Sequence, residues 1–360
     1  MSAPPSTRDP SLTLTHFQGL ALDTPIDIFL PDTLAASQLN LLLPDDISSD
    51  PAFTFPALQH WLSRSLKNLA RQQNARHPHH KIPYSLRAID IQAVDWFTKT
   101  KLGFMKIQAK LETDPYVHEG EKEAKVDWLP GAVFLRGGSV AMLIVVQPSD
   151  AVGENEKQVI FTVQPRIAAG SLAFIEIPAG MLDGNSFRGA AAAELKEEAG
   201  LEVKEDDLIN MCELASDSSD ESSSETIETA MYPSVGACDE FIPLFLCQKR
   251  LTRRHMQWLK GKATGLRNEG EKITLKLVPL SRAWREGARD AKALAALALY
   301  EGLKGEGKIP DMPPEVEAEP ADLKTGSDKH EMEPEETVMP CKRRRRRESR
   351  ELEIEAEEVD

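Results

Sequence analysis

The sequence is poor in positive charge and in cysteines that could pair. Its 43 Lys and Arg residues are outnumbered by 58 Asp and Glu residues, which gives a formal net charge of −15. Because an acidic surface repels phosphate backbones, general affinity for nucleic acids is not expected. Four cysteines show neither pairing nor metal-ligand spacing and therefore indicate free thiols in a reducing compartment: Cys212, Cys238, Cys247 and Cys341.

Long apolar runs are absent as well. No stretch reaches the ~18 apolar residues that a membrane span needs, and the first residues, MSAPPSTRDPS, lack the apolar core of a secretion signal. We therefore expect a protein without membrane contact, located in the cytoplasm, the nucleus or both. Hydrophobic residues make up 41% of the 360 positions, which is enough for a core in part of the chain.

The most informative stretch runs from residue 172 to residue 203. An apolar strand, Leu172–Ile177, precedes a Pro-Ala-Gly turn, a polar loop and an Ala-rich helix. Gly200 suits the left-handed position just after a helix end. The pattern thus predicts a strand–loop–helix unit.

Three carboxylates follow one another closely in that helix: Glu194, Glu197 and Glu198. Spacings of three and four residues place them on one helix face. A cluster of hard oxygen ligands suits Mg²⁺ or Mn²⁺. A solvated acidic face is the alternative explanation.

The whole stretch resembles the box of the Nudix hydrolases, a loop–helix–loop that holds divalent metal against a diphosphate. The resemblance lies in residues 180–201, the box segment: Gly180, Glu194, Leu195, Glu197, Glu198, Gly200 and Leu201. The segment departs from the family pattern in three ways. Ala193 stands where the family usually has Arg, Asn185 stands where it usually has Glu, and the loop is one residue shorter.

Further segments narrow the resemblance to the ADP-sugar diphosphatases. PGAVFLRGGSVAMLIVV, TVQPRIAAG, IEIPAGML, YPSVGACDE and the late KITLKLVPL occur in the order found in that group, within residues 85–304. The resemblance implies an α/β Nudix fold, a mixed β-sheet sandwiched between helices, with an additional N-terminal β-rich region. It also implies a homodimer formed through that region.

The resemblance further implies roles for individual residues. The Ala179 carbonyl and the three box carboxylates would bind metal, and Glu197 would also serve catalysis. Arg166 and Glu176 would bind substrate, and Glu240 would be the catalytic base. Trp96 and Trp128 are candidates for stacking on adenine.

Two of these positions also stand out in the sequence itself. Arg166 lies at a strand end, where a guanidinium can grip two phosphate oxygens, or can form an ordinary surface ion pair. Asp239 and Glu240 precede an apolar strand, Phe241–Cys247, and form either an acidic loop or the seat of a general base.

Composition suggests a division of the chain. We expect an N-terminal extension at 1–84, partly disordered with a helix near 55–72, and a β-rich region at 85–130. A Nudix domain at 131–304 would contain a disordered acidic, Ser-rich insert at 216–229. Within it we expect strands at Leu208–Ala215 and 272–280 and a helix at Asp290–Leu303.

Residues 305–360 are expected to form a disordered tail. Its basic run, Lys342–Arg347, resembles a nuclear-import signal read by an import receptor, or else contacts an acidic partner or nucleic acid.

The expected function is Mg²⁺-dependent hydrolysis of ADP-ribose and ADP-glucose to AMP and a sugar phosphate. The alternatives are a degenerate Nudix domain that binds a nucleotide sugar without hydrolysis, and a Nudix hydrolase of another nucleoside diphosphate derivative.

Overall fold

The computed structural model describes residues 9–32, 34, 53–117, 120–182, 187–194, 201, 203–216, 225–265 and 272–324. The chain divides into two compact units, Met1–Glu319 and Pro320–Asp360. In the second unit the described structure is a four-residue helix, Ala321–Lys324. Both sheets and the longer helices belong to the first unit.

The first sheet is formed by the N-terminal third of the chain. Within the described residues its strands are β1 (Leu12–Phe17), β2 (Leu20–Phe29), β3 (Tyr84–Trp96), β4 (Leu102–Thr113), β5 (Trp128–Leu129) and β6 (Ala132–Leu135). The order is β1-β2-β3-β4-β5, and β6 also pairs with β4. Only the β2–β3 pair among them is parallel, so the sheet is mixed.

Helix α1 (Pro56–Ala70) packs on this sheet. Pro56 suits the first helical turn, where the missing N–H would have no intrahelical partner. Leu58 and Leu62 are fully buried, and Leu66 and Leu69 continue the same apolar side at helical spacing. The helix predicted near residues 55–72 is therefore present.

The second sheet is also mixed. Its described strands are β7 (Ser139–Pro148), β8 (Gln158–Arg166), β9 (Ser171–Glu176), β10 (Ala179–Met181), β11 (Ile209–Asn210), β12 (Leu244–Leu251), β13 (Ala263–Thr264) and β14 (Ile273–Pro279). Their order is β11-β12-β7-β8-β14-β13, while β10 pairs with β7 and β9 with β8. β7 runs parallel to β12 and antiparallel to β8.

All ten residues of β7 are buried, because helices cover both faces of the sheet. The described helices are α2 (Phe187–Glu194), α3 (Met211–Ala215), α4 (Arg253–Leu259), α5 (Leu280–Glu286) and α6 (Ala291–Gly305). Residues 141, 143 and 145 of β7 face a cluster that includes α6. Residues 140, 142, 144 and 146 face a cluster that includes α2 and α4. None of the helices in the described part of the chain is both long and apolar enough to span a membrane.

The segment Leu208–Ala215 is not the strand that we predicted. Only Ile209 and Asn210 are strand, and α3 follows at once. The Asn210 side chain caps α3 by accepting hydrogen bonds from the backbone N–H groups of Cys212 and Glu213. This local capping bond ends the strand and begins the helix.

The expected boundaries at residues 84/85 and 130/131 do not coincide with the sheets. β1 and β2 lie where we assigned no structure, yet β2 pairs with β3, and β6 pairs with β4 rather than joining the second sheet. Likewise, the turn predicted at residues 178–180 is only partly present, because Ala179 and Gly180 belong to the short strand β10.

The expected detached tail begins later than Gly305. Residues up to Glu319 lie along β12 and the start of α4, and the Pro310 and Pro313 carbonyls accept hydrogen bonds from Gln248 and Arg250, both at 2.9 Å. Thr252 donates to Glu319 at 2.6 Å. Residues 325–360, including the basic run, lie outside the described residues.

These contacts generate a test of where the folded unit ends. Deleting residues 308–360 removes the bonds to Pro310, Pro313 and Glu319 as well as the buried side chain of Met312. At about 1 kcal/mol for each hydrogen bond, the free energy of unfolding should fall by roughly 3 kcal/mol or more. Thermal unfolding should show a midpoint several degrees lower. Deletion of 325–360 is the matched control and should leave the midpoint unchanged, and equal midpoints for both truncations would contradict the packed segment.

Candidate active site at the start of β7

The first residues of β7 hold two distant parts of the chain side by side. On one side, β10 pairs with them, and Met181, Gly180 and Ala179 lie opposite Ser139, Val140 and Ala141. On the other side, the N–H groups of Ser139 and Ala141 donate to the Phe241 and Pro243 carbonyls at 3.1 and 3.2 Å. The beginning of the box segment therefore lies one strand away from residues 238–243, called here the carboxylate loop.

Asp239 fixes the carboxylate loop to the turn before β7. Its carboxylate accepts hydrogen bonds from the backbone N–H groups of Arg136 at 2.8 Å and Gly137 at 3.1 Å. Gly137 has a φ of 79°, a conformation that favours glycine, and this turns its N–H toward the carboxylate. Burial raises the pKa of Asp239, while the two N–H donors oppose that rise.

Glu240 points to the first residue of β7. One carboxylate oxygen, Oε1, accepts a hydrogen bond from Ser139 Oγ at 2.9 Å and lies 3.2 Å from Arg136 Nη2. Its side chain is 13% exposed, so part of the carboxylate remains accessible. A hydroxyl and a guanidinium directed at one oxygen fix the orientation of this carboxylate.

Gly138 allows this part of the chain to close. A Cβ at this position would lie 2.5 Å from the Phe241 ring and 2.8 Å from the Leu182 side chain. Glycine therefore lets the carboxylate loop and the residue after β10 approach the same point of the backbone.

Arg166 and Glu176 contact each other directly. Arg166 Nε donates to Glu176 Oε1 at 2.5 Å from the end of β8, and Glu176 ends the neighbouring strand β9. The Glu176 side chain is 3% exposed and that of Arg166 is 42% exposed. The outer part of the guanidinium thus faces solvent while a buried carboxylate holds its inner edge.

Two residues at the start of α6 complete a buried charge network around Glu176. Lys292 Nζ lies 2.9 Å from Glu176 Oε2 and 2.8 Å from Asp290 Oδ1. Burial alone lowers the pKa of Lys292, but the charges and hydrogen bonds of Glu176 and Asp290 outweigh it and raise the pKa.

Asp290 connects this network to the box segment. Its second oxygen, Oδ2, accepts the backbone N–H of Ile177 at 3.0 Å, two residues before Ala179. Its first oxygen also caps α6 through the N–H of Lys292. The chain that enters the box segment is therefore fixed to a helix end.

Helix α2 lies within the box segment and packs on β7. Ala190 and Ala191 are buried among Val140, Met142 and Ile144, where larger side chains would separate the helix from the sheet. Glu194 is the last helical residue described, and its side chain is not. Glu197, Glu198 and Asn185 lie outside the described residues, and within the described part no group of three metal-ligating side chains occurs.

The two tryptophans proposed for adenine stacking lie far apart. Trp96 is opposite Leu102 at one end of β4, and Trp128 is opposite Glu112 near the other end. Ten residues of strand separate them by roughly 33 Å, so they cannot stack on one base within a single chain.

The sequence did not single out Arg136, Ser139, Lys292 or Asp290. Arg136 had one usable signal, its place between an apolar strand and Gly137-Gly138. Lys292 and Asp290 had none, because their partners Glu176 and Ile177 are more than a hundred residues away in the sequence.

The chain was compared with family models, with known proteins and with solved structures. No family model matches the chain. It is 34% identical over 227 residues to Nudix hydrolase 14, chloroplastic, of Arabidopsis thaliana, a match that covers 62% of this chain and 65% of that protein. A solved structure titled as an ADP compounds hydrolase is 20% identical and has a TM-score of 0.32, with coverage of 62% of this chain and 99% of its own.

The buried network around Glu176 gives a test of its own. Glu176→Ala leaves Arg166 without its buried partner and removes one of the two carboxylates that bind the buried Lys292, so we expect a loss of about 3 kcal/mol in the free energy of unfolding. Glu286→Ala removes the half-buried partner of the exposed Lys276 side chain and should cost less than about 1 kcal/mol. Urea titration of both variants measures the difference, and equal losses would exclude a structural role for the network.

Proposed function

From the 34% identity to a Nudix hydrolase, we propose that this chain is a Nudix hydrolase and that it hydrolyses the diphosphate bond of ADP-sugars. The substrates would be ADP-ribose and ADP-glucose, and the products AMP and a sugar phosphate. The name of the similar Arabidopsis protein specifies no substrate, so the choice of ADP-sugars is part of the proposal. The match spans 65% of that protein's length.

The observation that supports hydrolysis best is that Glu240 and the beginning of the box segment lie on the two sides of the first residues of β7. Glu240 bonds to Ser139, and Ser139 lies opposite Met181 across the β7–β10 pair. Residues about 60 positions apart in the sequence thus flank three residues of one strand. A general base must lie within reach of the metal-bound diphosphate, and this arrangement favours Glu240 for that role.

Mg²⁺ or Mn²⁺ would be held by Glu194, Glu197, Glu198 and the Ala179 carbonyl. Hard oxygen donors of this kind fit such an ion. Among the described residues, Ala179 supports this set of ligands, because β10 presents its backbone beside the start of β7. A divalent ion bound there supplies neutralisation of phosphate charge and lowers the pKa of bound water.

The remaining roles belong to side chains of the chain itself. Glu240 accepts a proton from the attacking water, while Arg136 and Ser139 keep its carboxylate oriented. Arg166 binds the diphosphate through the exposed edge of its guanidinium. Glu176, buried and bonded to both Arg166 and Lys292, holds that guanidinium in place.

The second candidate is a Nudix domain that binds a nucleotide sugar without cleaving it. Ala193 and Asn185 favour it, because the family's usual Arg and Glu at these positions are missing. A Nudix hydrolase acting on another nucleoside diphosphate derivative is the third. A homodimer and nuclear import through Lys342–Arg347 stay predictions, and the similar Arabidopsis protein is described as chloroplastic.

The first experiment measures AMP release from ADP-ribose and ADP-glucose with Mg²⁺ and with a chelator. We expect metal-dependent AMP, and we expect Glu198→Gln to reduce the rate by at least about 100-fold, because a neutral amide is a poor ligand for a hard cation. The exposed Glu213→Gln serves as the matched control and should retain the wild-type rate. Binding of either nucleotide without AMP release would favour the non-hydrolysing domain.

Glu240→Gln tests the base separately. Removal of a general base typically costs between about 10² and 10⁴ in rate. We expect kcat to fall in that range while the thermal midpoint stays near that of the wild type. A rate loss under tenfold would place the base elsewhere.

A further inference from the structure

Helix α1 reaches from the first sheet to the candidate active site. A Cβ on Gly137 would lie 3.3 Å from Ala57, so the helix start packs against the turn before β7. Near its end, Asn68 exchanges two hydrogen bonds with the Thr226 backbone, and Arg71 donates to the Thr226 hydroxyl at 2.9 Å. Between these contacts, Arg64 lies over the Phe241 ring of the carboxylate loop, 5.6 Å from its centre.

Arg64 forms a cation–π contact with Phe241. Its half-buried guanidinium lies over the aromatic face, and this contact does not occupy the N–H groups. Its charge also acts to lower the pKa of Asp239, against the larger effect of burial, which raises it. Asp239 itself is bonded to backbone N–H groups rather than to Arg64.

The other cations described around the site are already engaged by carboxylates. Arg136 lies 3.2 Å from Glu240, Arg166 lies 2.5 Å from Glu176, and Lys292 lies between Glu176 and Asp290. No hydrogen bond or ion pair joins Arg64 to any residue that the structure describes. Of these four cations, Arg64 is the one without a carboxylate at ion-pair distance among the described residues.

The location of Phe241 places Arg64 near the box segment. The Phe241 ring lies 6.2 Å from the ring of Phe187, the first residue of α2. It also packs against Gly138, where a Cβ would lie 2.5 Å from it. A substrate bound between the box segment and the carboxylate loop would therefore meet the guanidinium of Arg64 at this end.

We infer that Arg64 is a substrate-binding residue whose guanidinium receives an anionic phosphoryl group of the nucleotide. The inference deepens the proposed function and rests on it. A diphosphate entering a site rich in carboxylates needs cations with available donors, and a guanidinium can bind two phosphate oxygens at once. The N-terminal helix α1 thus contributes to a site otherwise built by the second sheet.

The experiment compares Arg64→Ala, Arg64→Lys and the control Lys67→Ala with the wild type, using ADP-ribose and Mg²⁺. Lys67 lies three residues further along α1 but lines a separate cavity of about 600 Å³ between α1 and the β1–β2 hairpin. For Arg64→Ala we expect KM to rise about 10- to 100-fold with kcat within about threefold of the wild type. Arg64→Lys should recover part of the loss, because a point charge replaces the two-pronged donor, and Lys67→Ala should match the wild type.

Two results would overturn the inference while the hydrolase stands. One is an unchanged KM in Arg64→Ala, and the other is a fall in kcat at constant KM, which would mean that Arg64 only positions the carboxylate loop. If the wild type releases no AMP, the hydrolase proposal fails, and calorimetric titration with ADP-ribose becomes the readout. Binding weakened at least tenfold by Arg64→Ala would then support Arg64 as a phosphate ligand. Equal affinity, or no binding to the wild type, would overturn it.

Discussion

The backbone pairing at the start of β7 is the constraint on which the candidate site depends. Residues 139–141 bond on one side to β10 and on the other to residues 241–243. Every residue of β7 is buried, so this ladder lies where an unpaired N–H or carbonyl would be costly. The rigid strand therefore fixes the separation between the box segment and Glu240 without any direct contact between them.

Charge is distributed around that strand in two different ways. Glu176 and Asp290 are buried almost completely, and their shared partner Lys292 offsets the cost of removing their charges from water. Glu240 and Arg166 instead keep part of their surface exposed. The buried pairs hold the scaffold, whereas the exposed edges are available to a substrate.

The N-terminal third adds a wall to this site. α1 buries one apolar side against the first sheet and presents Arg64, Asn68 and Arg71 to residues 226–241. The segment after the acidic insert is thereby attached to a helix from the other sheet. If the nucleotide binds beside Phe241, the first sheet takes part in recognition as well as in folding.

The sequence by itself determined the features that depend on local pattern. It predicted a β-rich region at 85–130, which contains β3 and β4, the strand β14 and the helices α1 and α6. The box segment and the wider order of motifs predicted the family, and the adjacency of Arg166 and Glu176 follows from their places at neighbouring strand ends.

Only the tertiary structure decided which distant residues meet. Lys292 and Asp290 carry no signal in the sequence, because the burial of Glu176 that makes them necessary arises when α6 packs on the second sheet. Arg64 is an ordinary basic residue of an amphipathic helix until α1 lies over Phe241. The segment 308–319 reads as a polar tail by composition, yet its backbone carbonyls find donors along β12. In each case the residue that forms the contact is distant in the sequence, so the pattern of neighbouring residues cannot predict it.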